Sequence, residues 1–454
     1  MLQYTSMNNS PWIKQLQRTR IAEPLAENLD ADVVVVGGGI AGVTTAYFLL
    51  TQTTKRVILL EGGKIAHGAT GHNAGQISSY YEKNLVDLVK DFGEAKAARA
   101  QKIIEEDARV LFNQIFSDTQ ITVPRSEFVG YEACVTKEHV LSYLEELSLR
   151  AHLGLRVRPL LIAREWLEDN ILPPQYTPYI LATPQANILQ LLETTNTIYI
   201  AAHSFLSGCV NSALFTEQLS QYLLSQYKDR FILKEHTLVS KLVLNKEDVS
   251  VETKQHVVST REVVLCTNGF ESINIVNHSG APVDGFFHHE VNGVAGYMAG
   301  YKESLDKPPF ASSYAHPDKE INELYTYVTR RPYEDETNAT HNLVCIGGPE
   351  VFIPDRAQYD PTKEYPLEVS DVIDTFMMQT YGEKKQMDYK WHGLMGYTNS
   401  GVRLIGREPR NPRLLYNLGC NGVGILTSVY GSHRIAQLIN NEVVESTIFD
   451  PQSA

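Results

Sequence analysis

Cysteine is scarce in this 454-residue chain, and the five that occur lie far apart, at Cys134, Cys209, Cys266, Cys345 and Cys420. Their number is odd and no two form a C-x-x-C pair. The sequence therefore indicates neither a disulfide framework nor a cysteine-based zinc site, and we predict no metal centre. Such sparing use of cysteine fits a reducing compartment.

Long apolar runs are also missing. No uninterrupted apolar stretch reaches membrane-spanning length, and residues 1–30 lack the apolar core of a secretory signal peptide. We therefore expect a cytoplasmic location and no membrane span. Apolar residues make up 43% of the chain and charged residues 20%, which is ordinary for a protein that folds along its whole length.

Positive charge is the minority sign. The sequence has 40 Lys and Arg against 53 Asp and Glu, a formal net charge of −13. This charge opposes non-specific attraction to phosphate backbones, so we do not expect a nucleic-acid partner. The acidic balance suits a cationic substrate such as an amine, although plain solubility explains it as well.

Glycine, by contrast, is concentrated in a few short segments of the sequence. The stretch ADVVVVGGGIAGVTTAYFLL, residues 31–50, reads as strand, tight turn and helix, with Gly37, Gly39 and Gly42 forming G-x-G-x-x-G. TKRVILLEGG then supplies a second buried strand that ends at Glu61. In such a βαβ unit the turn admits a pyrophosphate and the acidic residue accepts the ribose hydroxyls. A tight turn without a ligand is the alternative, and this motif alone does not distinguish FAD from a nicotinamide.

Three further glycine-rich segments follow: HGATGHNAGQ at 67–76, the strand end EVVLCTNGF at 262–270, and GCNGVG at 419–424 ahead of a helical pattern. The chain thus opens and closes on strand–glycine–helix units. We interpret this arrangement as both ends returning to one cofactor. Taken alone, a strand that ends at Asn-Gly, as in EVVLCTNGF, is usually just a turn. Combined with the first motif, it favours FAD, because in two-dinucleotide flavoproteins a second strand of this pattern returns to the nucleotide site.

These segments, together with WHGLMGYTNSGVRLIG at 391–406, resemble in order and spacing the FAD-dependent oxidoreductase family of D-amino-acid, glycine and sarcosine oxidases, nearest the gamma-glutamylputrescine oxidase branch. The resemblance extends over nearly all of residues 30–442. It implies an α/β fold with a Rossmann-type FAD-binding domain and an interleaved antiparallel-sheet substrate domain. The implied division is an N-terminal extension at 1–30, FAD-binding segments at 31–110, 190–275 and 390–454, and substrate-domain segments at 111–189 and 276–389.

The resemblance also implies FAD as the cofactor, with contacts from every one of these segments. The residues concerned are Gly37, Gly39, Gly42, Glu61, Lys64, Ala69, Thr70, His72, Asn73, Ala74, Gly75, Gln76, Val239, Thr267, Asn268, Gly269, Gly393, Gly419, Asn421, Gly422 and Gly424. Two roles are open for His72: a hydrogen bond near the flavin, or the covalent flavin bond that dimethylglycine and sarcosine dehydrogenase relatives make through a histidine.

The implied reaction is oxidation of a primary or secondary amine or an amino acid, by hydride transfer from the carbon next to nitrogen to flavin N5, giving an imine. Candidate residues near the substrate are Tyr327, Arg330 and His392. A guanidinium suits a substrate carboxylate, and strand alternation lets only one of the adjacent Arg330 and Arg331 face a pocket.

Departures from the family pattern leave the electron acceptor open between O2 and another oxidant. The strand LVCIGG offers Cys345 and Ile346 where oxygen-reacting sarcosine oxidases carry a lysine, and Ser400 replaces a common aspartate. Two other hypotheses remain at this point. One is a nicotinamide-dependent dehydrogenase, which would be colourless; the other is a flavin-binding subunit of a larger dehydrogenase complex.

Overall fold

The computed structural model describes residues 8–16, 20–269, 272–283, 291–316, 325–335, 337–353 and 359–451. The α-helices of this part are α1 (Pro11–Lys14), α2 (Ile40–Gln52), α3 (Leu85–Phe92), α4 (Glu94–Lys102), α5 (Ala108–Thr119), α6 (Lys137–His152), α7 (Arg164–Asp169), α8 (Gln185–Leu191), α9 (Ser212–Gln226), α10 (Leu367–Tyr381) and α11 (Gly424–Ile439). Short 3₁₀ segments lie at Ala69–Gly71 and Pro174–Tyr179, and a π-helical turn at Ile103–Asp107 joins α4 to α5. No helix in the described ranges is both long enough and apolar enough to cross a membrane.

The strands of the same part build two sheets. In chain order they are β1 (Leu29–Val36), β2 (Val57–Leu60), β3 (Arg125–Cys134), β4 (Leu160–Ala163), β5 (Ile180–Thr183), β6 (Ala201–Val210), β7 (Phe231–Lys234), β8 (Val239–Leu244), β9 (Val249–Thr253), β10 (Val257–Leu265), β11 (Asn274–Asn277), β12 (Asn292–Glu303), β13 (Phe310–Tyr314), β14 (Thr326–Glu334), β15 (Thr340–Ile353), β16 (Tyr389–Tyr397), β17 (Leu404–Glu408) and β18 (Asn411–Leu418).

The first sheet contains the βαβ unit expected from the sequence. Its order is β11-β8-β9-β10-β1-β2-β7, with β18 beside β10 and β17 beside β18. β1 runs parallel to both β2 and β10. The four valines at 33–36 are buried because a parallel strand is covered on both faces. Helices α2 and α11, from opposite ends of the chain, pack against each other beside this sheet.

The second sheet has the order β16-β12-β15-β14-β13-β3-β6-β4-β5. Most neighbours are antiparallel, as expected, but β13 pairs parallel with β3 and β4 pairs parallel with β5, so the sheet is mixed. One face packs against α8 and α10 in an apolar core. The opposite face carries the residues of the candidate site.

Two strands pair outside the segments to which the sequence assigns them. β6 lies within the predicted FAD-binding segment 190–275 and β16 almost entirely within 390–454, yet both belong to the second sheet. After each of these two strands, the chain passes from the second sheet to the first. The division into domains remains a prediction, whereas the strand pairing is observed.

The described part of the N-terminal extension packs against the body of the protein. Trp12 is fully buried, and its ring meets that of Trp391 edge-on at 6.3 Å. The Arg331 guanidinium lies 4.0 Å from the Trp12 ring centre. The Trp12 indole N–H donates to the Asn73 carbonyl, and the Ser10 hydroxyl donates to the Gly71 carbonyl. This segment thus connects the glycine-rich loop at 67–76 to the second sheet.

Candidate active site

A cavity of about 1230 Å³ is lined by the β1–α2 turn, the 67–76 loop, the C-terminal turn at 419–424 and one face of the second sheet. It therefore brings together segments that are distant in sequence. Sixteen of the residues expected to bind the cofactor line it: Gly37, Gly39, Glu61, Ala69, Thr70, His72, Asn73, Ala74, Gly75, Gln76, Val239, Thr267, Asn268, Gly393, Gly422 and Gly424.

The β1–α2 turn places the amino end of α2 at the cavity. The Ile40 amide donates to Thr70 Oγ1 at 2.9 Å, which ties this helix end to the glycine-rich loop. Gly42 does not line the cavity. A Cβ at Gly42 would overlap the Gly37 carbonyl oxygen, so this glycine permits the close packing of helix and turn. The helix amides and their positive partial charge suit an anionic group such as a pyrophosphate.

Glu61 directly follows β2 and lines the cavity. Its carboxylate accepts from the Gly38 amide at 2.6 Å and from the Gly63 amide at 2.7 Å, and burial raises the pKa of Glu61. A carboxylate has about four acceptor positions, so these two bonds leave capacity for the hydroxyls of a ribose. Lys64, expected to bind the cofactor, is exposed and does not line the cavity.

The 67–76 loop is held by its own side chains. Asn73 Nδ2 donates to the Ala69 and Thr70 carbonyls at 3.0 and 2.9 Å, and Asn73 Oδ1 accepts from the Gly75 amide at 2.7 Å. Ser212 Oγ, at the start of α9, donates to the Thr70 carbonyl at 2.6 Å. These bonds fix the loop as a rigid wall of the cavity.

His72 has a defined tautomer. Its Nδ1 lies 3.0 Å from the Gly68 carbonyl oxygen, which only accepts, so Nδ1 carries the proton and Nε2 the lone pair of the neutral ring. Burial lowers the pKa of His72 and favours that neutral form. Gly393 of β16 lies against the His72 carbonyl: a Cβ there would be 2.5 Å from the oxygen.

The C-terminal turn is fixed from both sheets. Asn421 Oδ1 accepts from the Thr398 amide at 2.9 Å, and the Asn421 amide donates to the Gly396 carbonyl at 2.8 Å. Asn268 Oδ1 accepts from the Cys420 amide at 2.9 Å. Three residues expected to bind the cofactor, Gly269, Gly419 and Asn421, shape or flank this turn without lining the cavity.

Among the residues expected to bind the cofactor, two have a buried polar atom that lacks a hydrogen-bond partner in the described part of the chain: Gln76 Nε2 and Thr267 Oγ1. Buried polar groups are normally hydrogen-bonded, so both point to polar groups of a ligand. Together with Glu61 and the α2 amino end, they fit the hydroxyls and phosphates of a dinucleotide.

A family model described as FAD dependent oxidoreductase matches residues 32–438. The chain belongs to this family. The expectations of an enzyme with FAD as its cofactor are thereby confirmed, and the nicotinamide hypothesis is set aside.

Curated relatives match this oxidoreductase over short stretches. They include the probable oxidoreductase OrdL of Haemophilus influenzae, 28% identical over 129 residues, which are 28% of this chain and 29% of the relative. Gamma-glutamylputrescine oxidoreductase of Escherichia coli is 30% identical over 93 residues, 20% of this chain and 22% of the relative. The matches thus span less than a third of these relatives' length.

Solved structures match over nearly the whole chain. Glycine oxidase from Geobacillus kaustophilus aligns with a TM-score of 0.66 at 16% identity, covering 94% of this chain and 99% of that one. L-proline dehydrogenase from P. horikoshii aligns with a TM-score of 0.65 at 16% identity, covering 94% and 98%. These likenesses confirm the predicted fold class.

Beyond the C-terminal turn, the cavity of this oxidoreductase opens into a space that we call the acid–tyrosine chamber. Its defining residues are Tyr80, Glu82, Glu132, Ser313, Tyr325, Tyr327, Glu350 and Tyr397. Glu82 lies beside Gly422, where a Cβ would be 2.7 Å from Glu82 Cγ. Burial raises the pKa of Glu82 to about 7 and that of Glu350 to about 7. Sequence reasoning missed every chamber residue except Tyr327.

Tyr327 is the only one of the three substrate-site candidates that lines the cavity. Its hydroxyl lies 3.0 Å from Met298 Sδ. Arg330 is buried on the other face of β14, where it forms a bidentate ion pair with Glu193 at 2.5 and 2.6 Å. Arg331 shares the Tyr327 face, but its guanidinium covers Trp12.

His392 is buried next to the cavity wall without lining it. Its Nδ1 is 3.0 Å from the Tyr359 hydroxyl, and its Nε2 is 3.2 Å from the Lys363 carbonyl oxygen. Both ring nitrogens are therefore engaged, and burial lowers the pKa of His392. His392 thus helps to hold β16 in place next to Gly393, which itself lines the cavity.

Proposed function

We propose that this enzyme oxidises a primary or secondary amine or an amino acid at the carbon next to the nitrogen, producing an imine that water hydrolyses. Bound FAD supplies the hydride acceptor, flavin N5. The observation that carries the proposal is the continuity of one cavity. The cofactor-binding segments form one part of it, and the acid–tyrosine chamber adjoins the C-terminal turn.

In this reaction the protein binds the substrate, removes a proton from its ammonium group and encloses it in the cavity. Hydride leaves more readily from a carbon next to a neutral amine, because its nitrogen lone pair stabilises the developing positive charge. Glu82 stands beside Gly422 and, with a pKa of about 7, is partly ionised at neutral pH. We assign to it the acceptance of a proton from the bound ammonium. Tyr327, on β14 of the second sheet, would orient the alkyl part.

The test is anaerobic reduction of the purified yellow protein by a panel of monoamines, diamines, N-methyl amines and amino acids. Loss of the flavin absorbance on mixing with at least one class supports the proposal and shows that the isolated chain needs no partner for this half-reaction. Absence of bleaching by every member would contradict it and favour the role of a subunit in a larger complex. Oxygen uptake by the reduced protein then identifies the acceptor.

The two roles of His72 are separated by acid precipitation. The tautomer at His72 leaves Nε2 with the lone pair that a bond to the flavin methyl carbon would require, and the same atom could accept a hydrogen bond. Flavin that stays with the precipitated protein, and is lost from it in His72→Ala, indicates the covalent role. Flavin recovered entirely in the supernatant indicates the hydrogen-bonding role.

A further inference from the structure

The acid–tyrosine chamber holds three carboxylates without a lysine or arginine partner. Glu82 accepts from the Tyr325 hydroxyl at 2.7 Å. Glu132 accepts from the Tyr143 hydroxyl at 3.0 Å and lies 3.1 Å from His203 Nδ1. Among the described residues, no lysine or arginine forms an ion pair with either of these groups or with Glu350. Glu82 and Glu132 are half-buried and Glu350 is exposed, so together they give the chamber a negative charge that fits an exogenous cation.

Strand register places one of these carboxylates in a row that faces the cavity. Glu132 on β3 pairs with His203 on β6 and with Ser313 on β13, and Ser313 pairs with Tyr327 on β14. Residues opposite each other on neighbouring strands point to the same face, so these four side chains form one row. All four line the cavity.

Ser313 supplies an independent sign of a ligand. The residue is only 7% exposed, and its Oγ has no hydrogen-bond partner among the described residues. It lies between the Glu132 carboxylate and the Tyr327 ring, on the face that lines the cavity. A hydroxyl in this position can accept a hydrogen bond from a substrate ammonium or amine.

The tyrosines add aromatic surface to the carboxylates. The rings of Tyr325 and Tyr327 are 6.0 Å apart, and the Tyr80 ring meets Phe205 edge-on at 5.2 Å. Burial raises the pKa of Tyr80, Tyr325 and Tyr327, so they stay neutral. Neutral rings attract cations through their faces, and their alkyl-compatible surface suits a methylene chain.

Most lysine and arginine side chains that line the cavity already have hydrogen-bond partners within the protein. Arg150 donates to Glu105 at 2.5 Å, Arg403 donates to Asn417 Oδ1 at 2.6 Å, and Lys83 donates to the Ser400 carbonyl at 3.0 Å. Arg156 and Arg158, between α6 and β4, also line the cavity. They are the groups that a substrate carboxylate would have to use, and the experiment below includes that outcome.

We propose, resting on the function proposed above, that the substrate is an aliphatic amine with a second positive charge. In a diamine or polyamine, one nitrogen lies between Glu82 and Glu350 beside the C-terminal turn. The other nitrogen is bound by Glu132 and Ser313, with the methylene chain against the tyrosines.

A matched ligand series tests this assignment. Cadaverine, hexylamine and ε-aminocaproate share an aminopentyl group and differ at the far end, which is an ammonium, a methyl or a carboxylate. Each is mixed anaerobically with the holoenzyme, and the rate of flavin bleaching per unit concentration is measured, together with the ligand-induced change in melting temperature. We expect cadaverine to exceed hexylamine by about tenfold or more, as for a charged hydrogen bond, with ε-aminocaproate the weakest.

Substitution of the far carboxylate gives the second readout. Glu132→Gln keeps the shape and the acceptor for Tyr143, and we expect it to bring the cadaverine-to-hexylamine ratio towards unity. Glu132→Asp keeps the charge and should retain a preference. Glu247→Gln, an exposed glutamate in the β8–β9 turn, is the matched control and should leave the ratio as in the wild type. Bound flavin and melting temperature verify that each variant is folded.

The outcomes separate this inference from the proposed function. If amines bleach the flavin without any preference for a second charge, or if ε-aminocaproate or an α-amino acid is preferred, the dication assignment is wrong while amine oxidation stands. If none of the compounds, monoamines and amino acids included, bleaches the flavin, amine oxidation itself fails.

Discussion

At the scale of single residues, the Glu82 carboxylate opposes folding at neutral pH. Burial, with smaller repulsion from Glu350 and Glu132, raises the pKa of Glu82 from 4.5 to about 7. The folded protein therefore binds this proton more tightly than the unfolded chain does. Between these two pKa values the unfolded state holds fewer protons, so the contribution of Glu82 to stability falls as pH rises. Such a cost is typical of groups retained for a site.

Glu82→Gln should separate stability from activity. Above pH ~7 we expect the variant to be more stable than the wild type by on the order of 1–3 kcal/mol. Below pH ~4 the difference should vanish because Glu82 is then largely protonated in both the folded and the unfolded state. Flavin bleaching by amines should slow at least about tenfold. Thermal melts across pH and anaerobic stopped-flow measure the two effects, with Glu247→Gln as the control. A variant less stable than the wild type at high pH would contradict the argument.

At the scale of elements, the packing of α2 on its own turn decides whether a cofactor can be held. Gly42 faces the Gly37 carbonyl so closely that no side chain fits between them. Separating helix and turn would also shift the Ile40 amide away from Thr70 and move the helix end that lines the cavity.

We expect Gly42→Ala to destabilise the protein by about 3 kcal/mol through overpacking, and to leave it largely free of flavin. Gly63→Ala is the matched control, because a Cβ there would meet only Glu61 Oε1, at an ordinary 3.5 Å. The ratio of flavin absorbance to protein absorbance after purification is the measurement. Full flavin content in Gly42→Ala would show that the cofactor site tolerates a larger separation between α2 and the β1–α2 turn.

From its position on β14, we expect Arg330 to stabilise the fold and not to take part in catalysis. Its guanidinium is buried, with Glu193 and the Pro308 carbonyl as partners. Arg330→Gln leaves Glu193 without its ion pair and should lower the free energy of unfolding by on the order of 3 kcal/mol. The dependence of the flavin reduction rate on amine concentration should be the same as in the wild type. A large rise in the required amine concentration, with stability intact, would restore Arg330 to the substrate site.

Local motifs could be predicted from the sequence because local backbone geometry determines them. The β1–α2 turn, Glu61, the 67–76 loop and the C-terminal turn each depend on residues close in sequence, and all contribute to one cavity. The acid–tyrosine chamber depends instead on which strands become neighbours. Nothing near Glu132 or Ser313 in the sequence indicates that β3 and β13 pair in parallel register. The prediction of Arg330 beside Tyr327 had a different cause, because alternation along β14 alone puts these two residues on opposite faces.

At the scale of the whole molecule, the N-terminal segment joins parts that the two sheets hold separately. Asn8 exchanges hydrogen bonds with the His392 backbone at 3.1 Å, while Ser10 and Trp12 bind the carbonyls of the 67–76 loop. Farther along, Arg20 pairs with Glu217 at 2.8 Å and with Glu235. The segment therefore restrains the loop that lines the cofactor cavity relative to the second sheet.

Trp12→Ala should loosen that restraint. Removal of a fully buried indole costs about 3–5 kcal/mol, and it also deprives the Asn73 carbonyl of its donor and Arg331 of its stacking partner. We therefore expect flavin to dissociate at least about tenfold faster, measured by the rise in flavin fluorescence after dilution. Trp166→Ala, in α7 beside the second sheet, removes the same side chain away from the loop and should lower stability without a comparable change in flavin release. Equal flavin release from both variants would show that Trp12 stabilises the fold in general and does not act on the cofactor loop.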